Sequence, residues 1–263
     1  MSFLAIWAIG GVVVWIYVTL AWLLSVYLKN ASIVDIFWGL GFVVLVWTYY
    51  LLAEGFTGRK LLILALVTIW GLRLTFYVLI RNWGKDEDYR YQQFREEYGP
   101  DRYWWFSYIQ VFLLQGGIMW FISATLLAAQ HFDTPDALIA TDVLAVSVWT
   151  IGFFFEAVGD AHLWTFKRNP HNKGKVLDSG LWSYTRHPNY FGDATQWWAY
   201  YLIAASTGWG LLTVLGPLFM NFLLLRVSGV AMLERNMKQT KPQYADYIAR
   251  VNAFVPGFPK ETA

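Results

Sequence analysis

Long apolar runs, separated by short polar segments, dominate this chain. A helix needs about 20 mainly apolar residues to cross the hydrocarbon layer of a bilayer. Seven runs meet or approach that length: 3–28, 32–53, 60–81, 107–128, 141–165, 190–206 and 209–233. The pattern predicts an all-α integral membrane bundle of seven transmembrane helices, residues 1–263 forming a single membrane domain. Only Thr207-Gly208 separates the last two runs, which predicts a tight helical hairpin. The fifth run is the least apolar, because Glu156, Asp160 and His162 lie inside it. Polar connections remain at 82–106 and 166–189, with a tail from 234.

Composition agrees with this pattern. The chain is 57% hydrophobic and 14% charged, against about a quarter charged in soluble domains. Its 16 Trp, 16 Tyr and 19 Phe suit interfacial belts and lipid-facing packing. With no cysteine, disulfides, thiolate metal sites and cysteine nucleophiles are excluded. No basic face exists outside short loops, so nucleic acid is not an expected partner, and nothing calls for a protein partner. The first run lacks a basic leading segment and a small-residue cleavage site, and reads as a retained helix.

Lys and Arg favour the cytosolic side of membrane proteins. With the N-terminus outside and the C-terminus cytosolic, the inner side carries Lys29 and the basic residues of 81–102, 167–186 and 235–260. The outer side carries only Arg59 and Lys60, and Arg73 and Arg226 lie within helices. That bias supports seven spans of a multi-pass protein of a bacterial inner membrane.

The ionisable groups inside the runs are Asp35, Arg73, Glu156, Asp160, His162, Asp193, Arg226 and, at the inner edge, Glu234. Each charge at a helix centre costs roughly 2.5–3.5 kcal/mol, so four facing lipid would cost around 10 kcal/mol. They must face one another or a wet cavity. Glu156 and Asp160 share a helix face at i, i+4, as do Asn189 and Asp193. Arg226 and Glu234, eight apart, would also share one. Ion pairing that merely locks helices is the plainer alternative. Yet three acids on the fifth and sixth helices exceed what Arg226 alone neutralises.

Lys167, Arg168, Lys173 and Lys175 form a basic run beside Gly174 and Gly180. By itself it is explained first by the bias of positive charge to the inner side and attraction to anionic lipid headgroups, and it could also hold phosphates. No dinucleotide or P-loop glycine pattern is present. The four histidines do not sit at metal-ligand spacing, and no metal is expected. His187, between Arg186 and Pro188, reads as positional or ligand-binding. The mixed-charge segment Gly84-Lys85-Asp86-Glu87-Asp88-Tyr89-Arg90-Tyr91 reads as a solvated cap or a lid.

At Arg186-His187-Pro188-Asn189-Tyr190-Phe191-Gly192 the chain resembles the steroid 5α-reductase superfamily, in its bacterial and plant branch of unknown function. The resemblance extends to Val34-Asp35-Ile36-Phe37-Trp38-Gly39, Trp70-Gly71-Leu72-Arg73, Gln110-Val111-Phe112-Leu113-Leu114-Gln115, Phe155-Glu156-Ala157-Val158-Gly159-Asp160 and Leu224-Leu225-Arg226-Val227-Ser228-Gly229-Val230. It implies a seven-helix fold that holds NADPH from the cytosolic side. Residues 1–106 would form the substrate side and 107–263 the cofactor-binding part. It also implies hydride delivery to the β-carbon of an enone, with an acid and a tyrosine polarising the ketone. The cofactor positions it implies are Glu156, Asp160, Arg168, Tyr184, Asn189, Asp193 and Arg226, joined by Arg186, His187 and Tyr190 of the same element and by Glu234. Steroid reductases carry a Gln-Glu pair where this chain has Val34-Asp35, and a tyrosine where it has Trp70. Tyr77 lies two turns along that face. The expected catalytic set is Asp35, Arg73 and Tyr77, acting on a lipophilic enone among membrane lipids. Isoprenylcysteine methyltransferases share a similar Arg-His-Pro-Asn-Tyr element, so an S-adenosylmethionine-dependent lipid methyltransferase is an alternative. A non-enzymatic lipid-binding protein is another.

Overall fold

The computed structural model describes residues 1–227 and 229–260. Among them the secondary structure is entirely helical, with no strand. Six helical stretches are long and apolar enough to cross a membrane: Phe3–Leu28, Ala31–Leu52, Thr57–Asn82, Asp101–His131, Ala140–Arg168 and Trp209–Val227. The chain is therefore an α-helical, multi-pass membrane protein. The predicted run 190–206 is also helical, over Pro188–Ala205. Its first turns carry Asn189 and Asp193, and it is not among the six. The chain divides into two compact units.

The first unit comprises Met1–Ile139 and Ile203–Thr213. Helix α1 (Phe3–Leu28) starts on Ser2, whose hydroxyl accepts from Ala5 N–H. It ends where Lys29 turns left-handed at φ 52°. Helices α2 (Val34–Leu52) and α3 (Thr57–Asn82) then pack closely. Gly39 and Gly71 permit this: a Cβ on Gly39 would lie 2.5 Å from Gly71 O, and one on Gly71 2.7 Å from Gly39 O. Small residues at such crossings let lipid-embedded backbones meet where hydrophobicity alone favours no partner.

The predicted cap contains a helix, α4 (Tyr89–Tyr98), started by the Asp88 carboxylate accepting from Arg90 N–H. The fourth stretch runs through α5 (Pro100–Ser107), a π turn at Tyr108–Leu113, α6 (Leu114–Ile122) and α7 (Ala124–His131). It begins at Asp101, six residues ahead of the predicted 107, because Pro100 starts a helix of its own. Trp7 and Trp120 stack at 4.3 Å, and each indole N–H donates to the other's backbone carbonyl. That satisfies two polar groups inside an apolar contact between α1 and α6. The buried Arg59 guanidinium donates to Pro135 O and Ala137 O, tying down the segment after α7.

The second unit comprises Ala140–Leu202 and the chain from Val214 onward. Helix α8 (Ala140–Arg168) packs along α9 (Pro188–Ala205), again through glycine. A Cβ on Gly152 would lie 2.7 Å from Gly192 O. The last apolar stretch contains α10 (Leu215–Phe222) and a π turn at Leu223–Val227. Ser228, part of the resemblance, lies outside the described residues.

The run predicted as one helix to 233 instead ends there, and a separate helix, α11 (Val230–Thr240), follows. The cause is Gly229, at φ −103° and ψ −110°, where a Cβ would collide with Leu224 O. Hydropathy registers apolar content, not that backbone break. Helix α12 (Tyr244–Arg250) closes the described fold, with Tyr244, Tyr247 and Val251 forming a small buried cluster.

Candidate functional site

In the first unit the intramembrane acid is the centre. Asp35 sits in the first turn of α2, where the helix dipole favours a negative charge. Arg90 Nη2 lies 3.0 Å from its Oδ2, and the Tyr91 hydroxyl donates to its Oδ1 at 3.0 Å. Both partners come from α4. Arg90 Nε is also 2.8 Å from Asp88 Oδ1. Two hydrogen bonds from Arg90 hold the Asp88 carboxyl below its ordinary value, although burial alone would raise it.

The same segment is fastened below Asp35. Glu87 accepts Ala31 N–H at 2.6 Å and both Nε and Nη2 of Arg95 at 2.9 Å. The Tyr91 hydroxyl also meets the side chain of Gln115. Gln115 lines a small, mainly apolar cleft with Tyr17, Phe37, Trp38, Phe112 and Met119. The acid–tyrosine pair is thus joined through Gln115 to a small, mainly apolar cleft.

Arg73 and Tyr77 meet on α3. The Tyr77 ring has the Arg73 guanidinium carbon 5.3 Å from its centroid and that of Arg81 5.5 Å away. Trp70 is fully buried and packs against Phe42. Tyr91 places a hydroxyl on Asp35.

In the second unit the acids line the seam between α8 and α9. Glu156 Oε2 accepts from Gln196 Nε2 at 2.6 Å, and Asp160 Oδ1 accepts from Asn189 Nδ2 at 3.0 Å. The i, i+4 spacing thus brings both acids of α8 to α9, as expected. Asp193 is buried on α9 one turn before Gln196. Gln196 is fully buried, and its amide N–H groups serve Glu156 and Gly192 O. Its Oε1 has no hydrogen-bond partner among the described residues.

The element 182–187 ties α8 to the tail. Trp182 Nε1 donates to Gly159 O, and the Tyr247 hydroxyl donates to Trp182 O at 2.5 Å. Arg186 places Nε 2.8 Å and Nη2 2.7 Å from Glu234 Oε1, and Nη1 2.5 Å from Val251 O. His187 Nε2 lies 3.4 Å from the same Glu234 oxygen, and the His187 ring stacks on Tyr190. Burial works to raise the Glu234 carboxyl, but the adjacent His187 ring and the hydrogen-bonded Arg186 guanidinium hold it below its ordinary value. Arg186, His187 and Glu234 thus form one cluster that fastens the C-terminal segment.

The remaining predicted residues are peripheral within this unit. Arg168 is exposed, its guanidinium carbon 5.4 Å from the Trp164 ring centroid. Tyr184 is exposed beside Phe258. Arg226 is exposed in the π turn, and the break at Gly229 removes it from the helix that carries Glu234.

Sequence reasoning missed Arg90, Tyr91, Gln115 and Gln196. Gln196 had a signal, three residues after Asp193 on the same face. Asp35 had a weaker one, since a membrane-embedded acid requires a donor and the C-terminal end of α3 leads on to Arg90.

Comparison with known proteins adds family context. A family model described as "Protein of unknown function (DUF1295)" matches residues 21–251. The uncharacterized protein C594.04c of Schizosaccharomyces pombe is 25% identical over 259 residues, covering 89% of this chain and 75% of that protein. No solved structure matches.

Proposed function

The chain belongs to the DUF1295 family of unknown function, and from that premise we propose that it is a membrane-embedded, NADPH-dependent reductase. Its substrate would be a lipophilic ketone bearing a conjugated C=C bond. The observation that carries this reading is the Tyr91 hydroxyl on Asp35 beside the apolar cleft. It supplies the acid–tyrosine pair implied by the resemblance to the steroid 5α-reductase superfamily. In the full reading the chain crosses the membrane seven times, with α9 as the sixth span, the N-terminus outside and the C-terminus in the cytosol of a bacterial cell.

The residues of the second unit fit the cofactor. Glu156, Asp160 and Asp193, with the Gln196 oxygen, make the α8–α9 seam rich in acceptors. Ribose hydroxyls and a carboxamide NH2 are donors that match it. The exposed cations Arg168, Lys173, Lys175 and Arg226 suit phosphates. Arg186, His187 and Glu234 would act indirectly, by fixing the element that carries Asn189 and Tyr190.

NADPH supplies the hydride, which is the cofactor's own chemistry. The rest falls to the protein. The substrate's apolar body would lie along Phe37, Trp38, Phe112 and Met119. Its carbonyl oxygen would take the hydrogen bond that Tyr91 gives to Asp35. That donor polarises the ketone, making the β-carbon electrophilic. The β-carbon would gain the hydride and the α-carbon a proton taken from water, so that the C=C bond becomes single.

The test is thermal stability of the purified protein in detergent with NADPH, NADH or S-adenosylmethionine. NADPH is expected to raise the melting temperature. Stabilisation by S-adenosylmethionine alone would replace this reading with the methyltransferase. No response to any of the three would favour a lipid-binding protein. Oxidation of NADPH on adding a 4-en-3-one steroid or a shorter cyclic enone then tests the reaction.

A further inference from the structure

We propose that Arg90 is a positioning residue of this site: it holds Asp35 as a carboxylate and so frees the Tyr91 proton for the substrate. The inference rests on the reductase reading and adds to it a group from outside the membrane helices.

A phenol has one proton. In this structure the Tyr91 proton is engaged by Asp35 Oδ1. When the hydroxyl turns to a substrate carbonyl, Asp35 loses that donor. A half-buried carboxylate left without donors takes up a proton or pulls Tyr91 back. Arg90 prevents both, because its Nη2 serves the other carboxylate oxygen, 3.0 Å from Oδ2, and does not depend on the Tyr91 hydroxyl.

The geometry suits Arg90 to this role. Its Nε–H is engaged by Asp88, which also caps α4, so the guanidinium approaches Asp35 from a fixed base. Its central carbon lies 5.3 Å from the Tyr91 ring centroid, so one residue braces both members of the pair. The charged groups felt by Asp35 are Arg90 and Arg81, opposed by Asp88. Arg90 is the one cation in direct contact among those groups. The anchoring of Ala31 by Glu87, and of Glu87 by Arg95, keeps the segment against the start of α2. The mixed-charge stretch thus acts chemically, since its acids and bases set the charge of an acid at the membrane edge.

The experiment is difference infrared spectroscopy on the full-length protein in detergent, following the protonated carboxyl C=O stretch at neutral pH. The parent is expected to show no Asp35 band. Arg90→Gln should show one, which the Arg90→Gln/Asp35→Asn double variant must lack. Arg90→Lys should suppress it by restoring the charge. An Arg90→Gln spectrum without a new band, or a band already present in the parent, overturns the proposal. So does a band that survives Asp35→Asn. Should Arg90→Gln not fold, Arg90→Lys carries the test by titration. Lys lacks the two-pronged fork, so the band should appear about one pH unit above its position in the parent. An unchanged position overturns the proposal. No NADPH or substrate is added, so a failed cofactor titration and a failed infrared result are separate findings.

Discussion

Burial, with the Asp35 charge and hydrogen bond, pushes the Tyr91 phenol well above its ordinary value, against the opposing pull of the Arg90 charge. It therefore keeps its proton across the neutral range and serves as a donor, not a base. Tyr91→Phe removes one O–H and leaves the ring in place. With an enone probe, kcat should fall roughly 100- to 1,000-fold, the cost of losing one preorganised donor. NADPH stabilisation should stay unchanged, because the residues assigned to the cofactor lie on other elements. A loss of NADPH stabilisation with unchanged turnover would remove Tyr91 from the chemistry. Glu234 makes a different kind of prediction. Its pKa is lower folded than unfolded. It therefore contributes stability above its unfolded value of about 4.3 and loses it as pH falls through the folded value. The melting temperature should be insensitive to this group near neutrality and should drop below about pH 4. Glu234→Gln should abolish that acid-side slope and lower stability at neutral pH by about 3 kcal/mol, by leaving Arg186 buried without its charge partner. Limited proteolysis would show the tail beyond Glu234 released first.

At the scale of elements, glycine decides which helices approach. Gly192 lies against the α8 backbone, where a Cβ would collide with Gly152 O and Glu156 N. Gly192→Ala should open the seam and lower stability by about 1–3 kcal/mol. It should also weaken NADPH stabilisation, because Glu156 and Gln196 straddle the same crossing. Gly117, on the exposed face of α6, is the control, since a Cβ there meets nothing within 4 Å. Gly117→Ala should be neutral or stabilising by up to about 1 kcal/mol. Comparable losses for the two variants in thermal melts would undo the close-approach argument. The same elements separate what the sequence discloses from what it withholds. Lipid forces every backbone polar group into a helix, so apolar length located the helices well. The run 141–165 became Ala140–Arg168. The faces of Glu156 and Asp160 were legible because i, i+4 geometry is local. Asp35's partners were not, since they lie 55 and 56 positions away on a segment that reads as surface. Nor was the fate of Arg226, because a single glycine conformation after a π turn breaks the periodicity that counting eight residues assumes.

For the whole molecule the open question is how many times the chain crosses the bilayer, and α9 decides it. If α9 crosses, the termini lie on opposite sides and the excess of Lys and Arg falls in the cytosol. If it does not, the termini share a side and the bias from 167 onward has no topological meaning. Energetics favours crossing. The polar groups of α9 are concentrated in its first three turns and several face α8, through the Asn189–Asp160 and Gln196–Glu156 pairs. The far half, with Trp197, Ala199 and Tyr200, is largely apolar, and the Tyr200 hydroxyl accepts from Trp149 Nε1. A helix whose polar side is covered by a neighbour can enter lipid at far lower cost than its mean hydropathy suggests. The absence of native cysteine makes the test direct. Single cysteines are placed at Ser2, Asp133, Lys173, Trp209 and Lys260 and probed in intact cells with a membrane-impermeant maleimide. Ser2→Cys, Asp133→Cys and Trp209→Cys should label. Lys173→Cys and Lys260→Cys should label only after the cells are opened. Shielding of Trp209→Cys together with Lys173→Cys would mean that α9 turns back without crossing. The C-terminus would then lie outside together with the N-terminus, and Lys260→Cys would label in intact cells.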